Sequence, residues 1–122
     1  MFRVLTNNPK AYKWWLDRAQ SNVHIQWLEG NFHAVLIAAR DLVHLGWRLL
    51  NHPLSSSIKP NQTPYKTLVL ARGCELDHQS LAVIEAALAT SLKLGDFPGS
   101  VPAILEDLQF IDLEMCKEIP LQ

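Results

Sequence analysis

The sequence predicts an α/β domain in which three parallel strands alternate with helices. Three short apolar segments have the composition of strands, namely residues 2–6, 24–28 and 66–72. Between and after them, apolar residues recur at helical spacing. Parallel strands need crossover connections, so this alternation predicts a three-stranded parallel sheet in a three-layer α/β arrangement. Its order is β-α-β-α-loop-β-α-α, which resembles half of a Rossmann fold.

The composition describes a globular protein. The chain has 122 residues, which is the size of a single α/β domain over residues 1–122. Hydrophobic residues make up 48% and charged residues 19%, whereas a disordered chain is more polar. The net charge of −1 gives no attraction for nucleic acid or an anionic membrane, so neither is expected as a partner. No apolar run has the length of a membrane span or a signal peptide, which favours a cytoplasmic protein.

Capping residues set the expected boundaries in the first half of the chain. Asn8 has the side chain of a helix N-cap and Pro9 fits a first helical turn, so a helix is expected over residues 10–20. A second helix is expected over residues 32–50, because apolar residues keep helical spacing throughout that segment. Gly46 lies inside it, and a close approach to the sheet would explain a glycine there.

The second half begins with a long loop. Residues 51–65 contain three prolines and three serines with little periodicity, and a loop of this length is either functional or disordered. Asp77 is the expected N-cap of a third helix and Gly95 its end. Ser100 and Pro102 then begin the last helix. Its expected apolar stripe consists of Ile104, Leu105, Leu108, Ile111 and Met115.

Two polar segments are candidate ligand sites. Asn7 and Asn8 lie where a strand leads into a helix N-terminus, a place that can bind an anion; alternatively they are only a turn residue and a cap. The 51–66 loop is the second candidate, and its alternative is a solvated connection. In a parallel sheet this loop is anchored at the end opposite Asn7, which argues against one joint site and favours two separate ones. The alternative is that the loop, which spans up to about 50 Å when extended, folds back over an edge of the sheet. The candidate ligand-binding residues of the loop are His52, Ser55, Ser57, Lys59, Asn61, Thr63, Tyr65 and Lys66.

The remaining reactive side chains form no recognisable catalytic or metal motif. The five histidines lack the spacing of metal ligands, so no metal is expected. No glycine-rich phosphate-binding motif is present, and no cofactor is expected. Cys74 and Cys116 are expected to be buried, inert thiols. Catalytic residues therefore stay unassigned.

The small predicted sheet has edges that either the final helix or a second copy of the protein would cover. Its two open edges and the apolar last helices are compatible with a homodimer. Trp14 and Trp15 cannot both face the core of one helix, and Trp47 lies off its helical stripe. One or two exposed tryptophans at an interface or ligand wall are therefore expected; the alternative is packing under the last helix.

Three motifs resemble the GrdX family, which is associated with the glycine reductase operon of amino-acid-fermenting anaerobic bacteria. They are Leu5-Thr6-Asn7-Asn8-Pro9, the segment from Arg40 to His44 with Gly46 after it, and the long segment from Leu49 to Lys66. A weaker likeness continues through residues 76–85. The resemblance implies an accessory component rather than a catalytic subunit, and it implies no catalytic residues.

Two functional hypotheses follow from the sequence. The favoured one is a non-enzymatic accessory or regulatory protein that binds a small anionic metabolite or a partner protein through the 51–66 loop, with the Asn7-Asn8 turn as a further candidate contact. The alternative is a small transferase or hydrolase that uses polar residues of the same loop. The alternative requires an acid or base whose pKa is strongly perturbed beside a pocket.

Overall fold

The computed structural model describes residues 1–18, 20–54 and 58–121, and it confirms the α/β class. Its helices and strands, in chain order, are β1 (Phe2–Thr6), α1 (Pro9–Arg18), β2 (Val23–Trp27), α2 (Phe32–His44), β3 (Arg48–Leu49), β4 (Thr67–Ala71), α3 (His78–Leu94) and α4 (Pro102–Lys117). Among the helices described, none is long and apolar enough to cross a membrane.

The prediction of a three-stranded parallel sheet is wrong, because the sheet has four strands and is mixed. The strand order is β2-β1-β4-β3. Strands β1 and β2 are parallel, as the crossover through α1 predicts. Strand β4 runs antiparallel to both neighbours, with Thr6 opposite Thr67 and Arg48 opposite Ala71. Strand β3 runs from Ala71 towards the start of β4, so the long loop leaves and re-enters the sheet at the same end. Strand β4 therefore starts at the end where β1 finishes.

Helix α2 is shorter than predicted, which explains the extra strand. It ends at His44 rather than near residue 50, and Gly46 follows it with a φ of 101° that favours glycine. A Cβ atom on Gly46 would lie 3.4 Å from the carbonyl oxygen of Gly73. The predicted close approach is therefore real, but it is to the turn before α3 and not to the sheet.

A side chain extends the pairing of β3 along the edge of β4. Leu50 N donates to Val69 O at 2.9 Å, after which the chain leaves the strand. The Asn51 amide then takes the place of a peptide group: its Oδ1 accepts from Val69 N at 2.9 Å and its Nδ2 donates to Thr67 O at 3.0 Å. This amide satisfies two backbone groups that would otherwise be left without partners.

Helices cover both faces of the sheet, as the three-layer prediction requires. Helices α2 and α3 pack on the face that carries Leu5, Leu68 and Leu70. Helices α1 and α4 pack on the opposite face, around Val4 and Val69. The alternation of side chains along β1 and β4 therefore supplies two separate cores.

Several side chains face a different way from the one predicted. Trp15 and Trp47 are buried, so the expected exposed tryptophan is not found at either, and Trp15 packs against α4 as the alternative proposed. Helix α3 has its predicted Asp77 cap and ends at Gly95, as expected. Helix α4 begins after Val101 instead of Ser100 and buries Asp112, Leu113 and Cys116, while most of its predicted stripe is exposed.

We predict that Asn51→Ala lowers the free energy of unfolding by about 2 kcal/mol, because it leaves the paired groups of Thr67 and Val69 without partners. Chemical denaturation measures this change. Asn61→Ala is the matched control in the same loop, since Asn61 Oδ1 has no hydrogen-bond partner within the described structure. Equal losses in the two variants would contradict the role given to Asn51.

Candidate functional site

Asn7 joins the end of β1 to the end of the long loop. Its Nδ2 donates to Pro64 O at 2.7 Å and to Gly30 O at 3.1 Å, and its Oδ1 accepts from Lys66 N at 2.9 Å. The two candidate segments expected to lie apart are therefore in direct contact. The reason is the antiparallel direction of β4, which brings residue 66 to the carboxyl end of β1.

Asn8 is the predicted cap of α1, and it also fixes α4. Its Oδ1 accepts from Lys10 N at 3.0 Å, which is the capping hydrogen bond. Its Nδ2 donates to Gln109 O at 2.8 Å and to Asp112 Oδ2 at 2.9 Å. Both amide groups of Asn7 and Asn8 are thus engaged within the protein, and they position the residues around them.

Asp112 is the centre of this network, and the sequence did not indicate it. Thr67 donates to it twice, from the backbone N to Oδ1 at 3.1 Å and from Oγ1 to Oδ2 at 2.7 Å. Because the Thr67 hydroxyl hydrogen is used there, Thr6 Oγ1 is the donor in the 2.8 Å contact between the two threonines. Thr6 Oγ1 in turn accepts from Asn8 N at 3.0 Å. The only sequence signal is an acidic residue between Ile111 and Leu113.

Lys66 is a buried cation beside this network. Its exposed fraction is only 5%, and within the described part of the chain its Nζ forms no hydrogen bond or ion pair. Burial lowers the pKa of the Lys66 ammonium group below its ordinary value of 10.5, and the negative charge of nearby Asp112 opposes that shift only in part. The site therefore combines a desolvated amine with a carboxylate whose oxygens are already hydrogen-bonded.

Lys66 lines a small cleft between the loop and α4. The cleft has a volume of about 20 Å³, which is room for one water molecule. Tyr65 contributes its hydroxyl, which accepts from Gln109 Nε2 at 2.8 Å and so keeps its own hydrogen for donation. The lining residues are Phe32, Ile58, Thr63, Tyr65, Lys66, Leu108, Ile111, Asp112 and Met115.

Three other candidate residues of the loop, His52, Lys59 and Asn61, are not among the residues that line this cleft. His52 is exposed, with its Nδ1 accepting from Leu54 N at 3.0 Å. Lys59 is exposed, and Asn61 is half-buried. Ser55 and Ser57 lie outside the described residues. The structure therefore brings together five of the predicted residues, Asn7, Asn8, Thr63, Tyr65 and Lys66.

A wider cleft beside β3 is lined by His52, but it has no buried charged side chain comparable to Lys66 among the residues described. Its volume is about 310 Å³, and Arg48 and Asp77 also line it. Hydrogen bonds from Ser80 lower the pKa of the Asp77 carboxyl, but these bonds belong to the cap of α3. We therefore place the candidate site at Lys66.

The two cysteines behave differently from each other. Cys116 is buried as predicted, and Trp15 Nε1 donates to its Sγ at 3.3 Å. Burial raises the pKa of the Cys116 thiol to about 12, so it stays protonated and is a poor nucleophile. Cys74 is exposed, so the prediction of burial is wrong there. Within the described residues, no group of histidine, cysteine and acidic side chains could hold a metal ion.

Comparison with known proteins gives one match. A family model described as a GrdX-like protein matches residues 3–119 of the chain. The chain belongs to the GrdX-like family. This confirms the resemblance found in the motifs around Asn7 and the long loop, and it supports an association with the glycine reductase operon. No curated protein and no solved structure gives a significant match.

We predict that Lys66→Met raises the free energy of unfolding at neutral pH and that the gain shrinks as pH rises. The folded-state pKa of Lys66 lies below the unfolded value of 10.5, so the unfolded chain binds more protons between these two values. The free-energy cost of burying the charged Lys66 is therefore complete below the folded-state pKa, and it disappears as the pH approaches 10.5. Urea denaturation at several pH values between neutral and alkaline measures the difference. Lys59→Met, which removes an exposed lysine, is the control, and a gain independent of pH would contradict the prediction.

Proposed function

We propose that this GrdX-like protein is a non-enzymatic accessory or regulatory protein that binds a small anionic metabolite in the cleft at Lys66. The observation that carries the proposal is the buried Lys66 ammonium group without an ion pair. A charge in such a position costs free energy unless it is paired. Proteins keep such groups mostly where a ligand or a reaction uses them.

The surroundings of Lys66 favour an anion over other ligands. Asp112 balances part of the positive charge, but its oxygens already accept three hydrogen bonds from Thr67 and Asn8. A bound carboxylate or phosphate group would supply the strong, charge-assisted acceptor that the ammonium group lacks. Tyr65 also lines the cleft, and its hydroxyl keeps a hydrogen for donation.

The size of the cleft limits what can enter it. A volume of about 20 Å³ holds one water molecule, so one oxygen of a carboxylate or phosphate group would replace that water. The rest of the ligand would lie between Leu108 and Met115 on α4 and Ile58 on the loop. The ligand class is therefore a small metabolite with a terminal anionic group and a short apolar or neutral body.

A thermal-shift screen with small carboxylates, amino acids and phosphate monoesters tests this function. At a ligand concentration of about 100 times Kd the stabilisation is about 2.7 kcal/mol, which is a rise in Tm of about 10 °C. Lys66→Met is expected to abolish the shift, because it removes the cation and keeps the shape of the side chain.

Lys59→Met is the control for that screen, since Lys59 is an exposed lysine outside the cleft. It is expected to keep the full ligand-induced shift. A ligand whose shift survives Lys66→Met binds elsewhere, and that result would refute the proposed site. The absence of any shift at millimolar concentrations of all three classes would refute the proposed function.

The lowered pKa of Lys66 favours a second candidate function, in which its amine is a nucleophile towards a carbonyl substrate. The neutral amine would attack the carbonyl carbon and form an imine, with the carbonyl oxygen leaving as water. This chemistry needs no other side chain of the loop. It differs from anion binding because it produces a covalent product on one residue.

Reduction with cyanoborohydride in the presence of glyoxylate separates the two functions. The reagent transfers hydride to an imine carbon and leaves a stable secondary amine, which peptide mass spectrometry locates. In the catalytic case Lys66 is expected to be labelled faster than the exposed Lys59, and added acetate is expected to slow that labelling. Labelling of Lys66 no faster than Lys59 would remove this candidate and leave anion binding in place.

A further inference from the structure

The most apolar face of α4 points away from the protein. Ile104 is 48% exposed, Ile111 40% and Met115 44%, and Leu108 between them is half-buried. At about 100° per residue these four side chains lie within about 60° of one another on the helix. We call Ile104, Leu108, Ile111 and Met115 the apolar stripe.

The stripe is exposed because another face of α4 is used for packing. Asp112, Leu113 and Cys116 form the buried face, which contacts α1 and the sheet. The hydrogen bonds of Asp112 with Thr67 and Asn8 fix this rotation of the helix. The loop borders the inner side of the stripe, where Leu108, Ile111 and Met115 line the cleft at Lys66, and among the residues described no element covers its outer side. A contiguous exposed apolar surface marks an interaction site.

Acidic side chains follow one border of the stripe. Asp107, Glu114 and Glu118 share a row, because residues seven and four apart lie on the same side of a helix. Glu114 pairs with Lys117 at 2.8 Å. Within the described structure, Asp107 and Glu118 form no ion pair. The border therefore carries negative charge that only a basic partner can complement.

We propose that the apolar stripe binds an amphipathic helix of a partner protein, whose apolar side chains cover the stripe and whose lysine or arginine side chains lie along the acidic row. Helix-in-groove recognition uses such apolar anchors at i, i+3, i+4 and i+7. The proposal does not depend on the anion site. It concerns a different surface, although Leu108, Ile111 and Met115 also line the cleft at Lys66.

The charge pattern argues against an antiparallel pair of α4 helices from two copies of this chain as the covering of the stripe. In a two-fold symmetric antiparallel pair of α4 helices, equivalent borders of the two stripes lie side by side. Asp107, Glu114 and Glu118 would then face the same three acidic residues of the other copy. Like charges in contact are destabilising, so the acidic row selects against this pairing.

Two synthetic helical peptides test the proposal by fluorescence anisotropy. Both are about 18 residues long, or five turns, and carry the same leucine stripe. One has lysines along the border and the other has glutamates. The lysine peptide is expected to bind at least about tenfold more tightly, since three exposed ion pairs each contribute a modest amount.

Matched variants of the protein distinguish the contribution of the stripe to peptide binding from that of neighbouring residues. Ile111→Ser is expected to weaken binding of the lysine peptide by about tenfold, whereas Phe110→Ser on the same helix is expected to leave it unchanged. Phe110 is a suitable control because it is 54% exposed and lies outside the stripe. Asp107→Lys is expected to weaken binding more than Glu85→Lys, which makes the same change in net charge on exposed α3 surface.

Three results would overturn the proposal. The first is equal binding of the lysine and glutamate peptides, and the second is no binding of either. The third is a homodimer in sedimentation equilibrium that Ile111→Ser dissociates and Phe110→Ser does not, since the stripe would then be covered by a second copy.

Discussion

The carboxylate of Asp112 is the group on which the arrangement of the second half of the chain depends. It lies on α4 and accepts hydrogen bonds from Thr67 on β4 and from Asn8 at the start of α1. A buried carboxylate without such donors costs several kcal/mol. Helix α4 can therefore pack on the sheet only in the rotation that brings Asp112 to these two residues, and apolar packing alone would favour a different rotation.

That rotation creates both surfaces to which we assign a function. It turns the stripe of Ile104, Leu108, Ile111 and Met115 outward, and it places Asp112 beside Lys66 in the cleft. Two opposing effects then set the protonation of the Lys66 amine. Burial favours the neutral amine, while the Asp112 charge favours the ammonium form, and the lowered pKa shows that burial is the larger effect.

Local signals predicted the local structure, and long-range pairing was not predictable from them. The cap at Asn8, the cap at Asp77 and the end of α3 at Gly95 each follow from the residue type itself. The direction of β4 does not follow from residue type, because the sequence of a buried apolar strand does not show whether its neighbour is parallel or antiparallel. Hydrophobicity alone would place the apolar stripe of α4 against the sheet, whereas the hydrogen bonds between Asp112 and Thr67, which are distant in sequence, turn another face inward.

The antiparallel direction of β4 also explains why the Asn7-Asn8 turn and the 51–66 loop lie at the same end of the sheet. In a parallel sheet the loop would join β4 at the end opposite Asn7. Here Asn7 Oδ1 accepts a hydrogen bond from the backbone N–H of Lys66. The cleft and the apolar stripe share Leu108, Ile111 and Met115. A partner helix on the stripe would therefore change access to Lys66, and by linkage an anion in the cleft would change the affinity for that partner by the same factor. Under the two proposals together, the affinity for the partner would depend on whether the metabolite is bound.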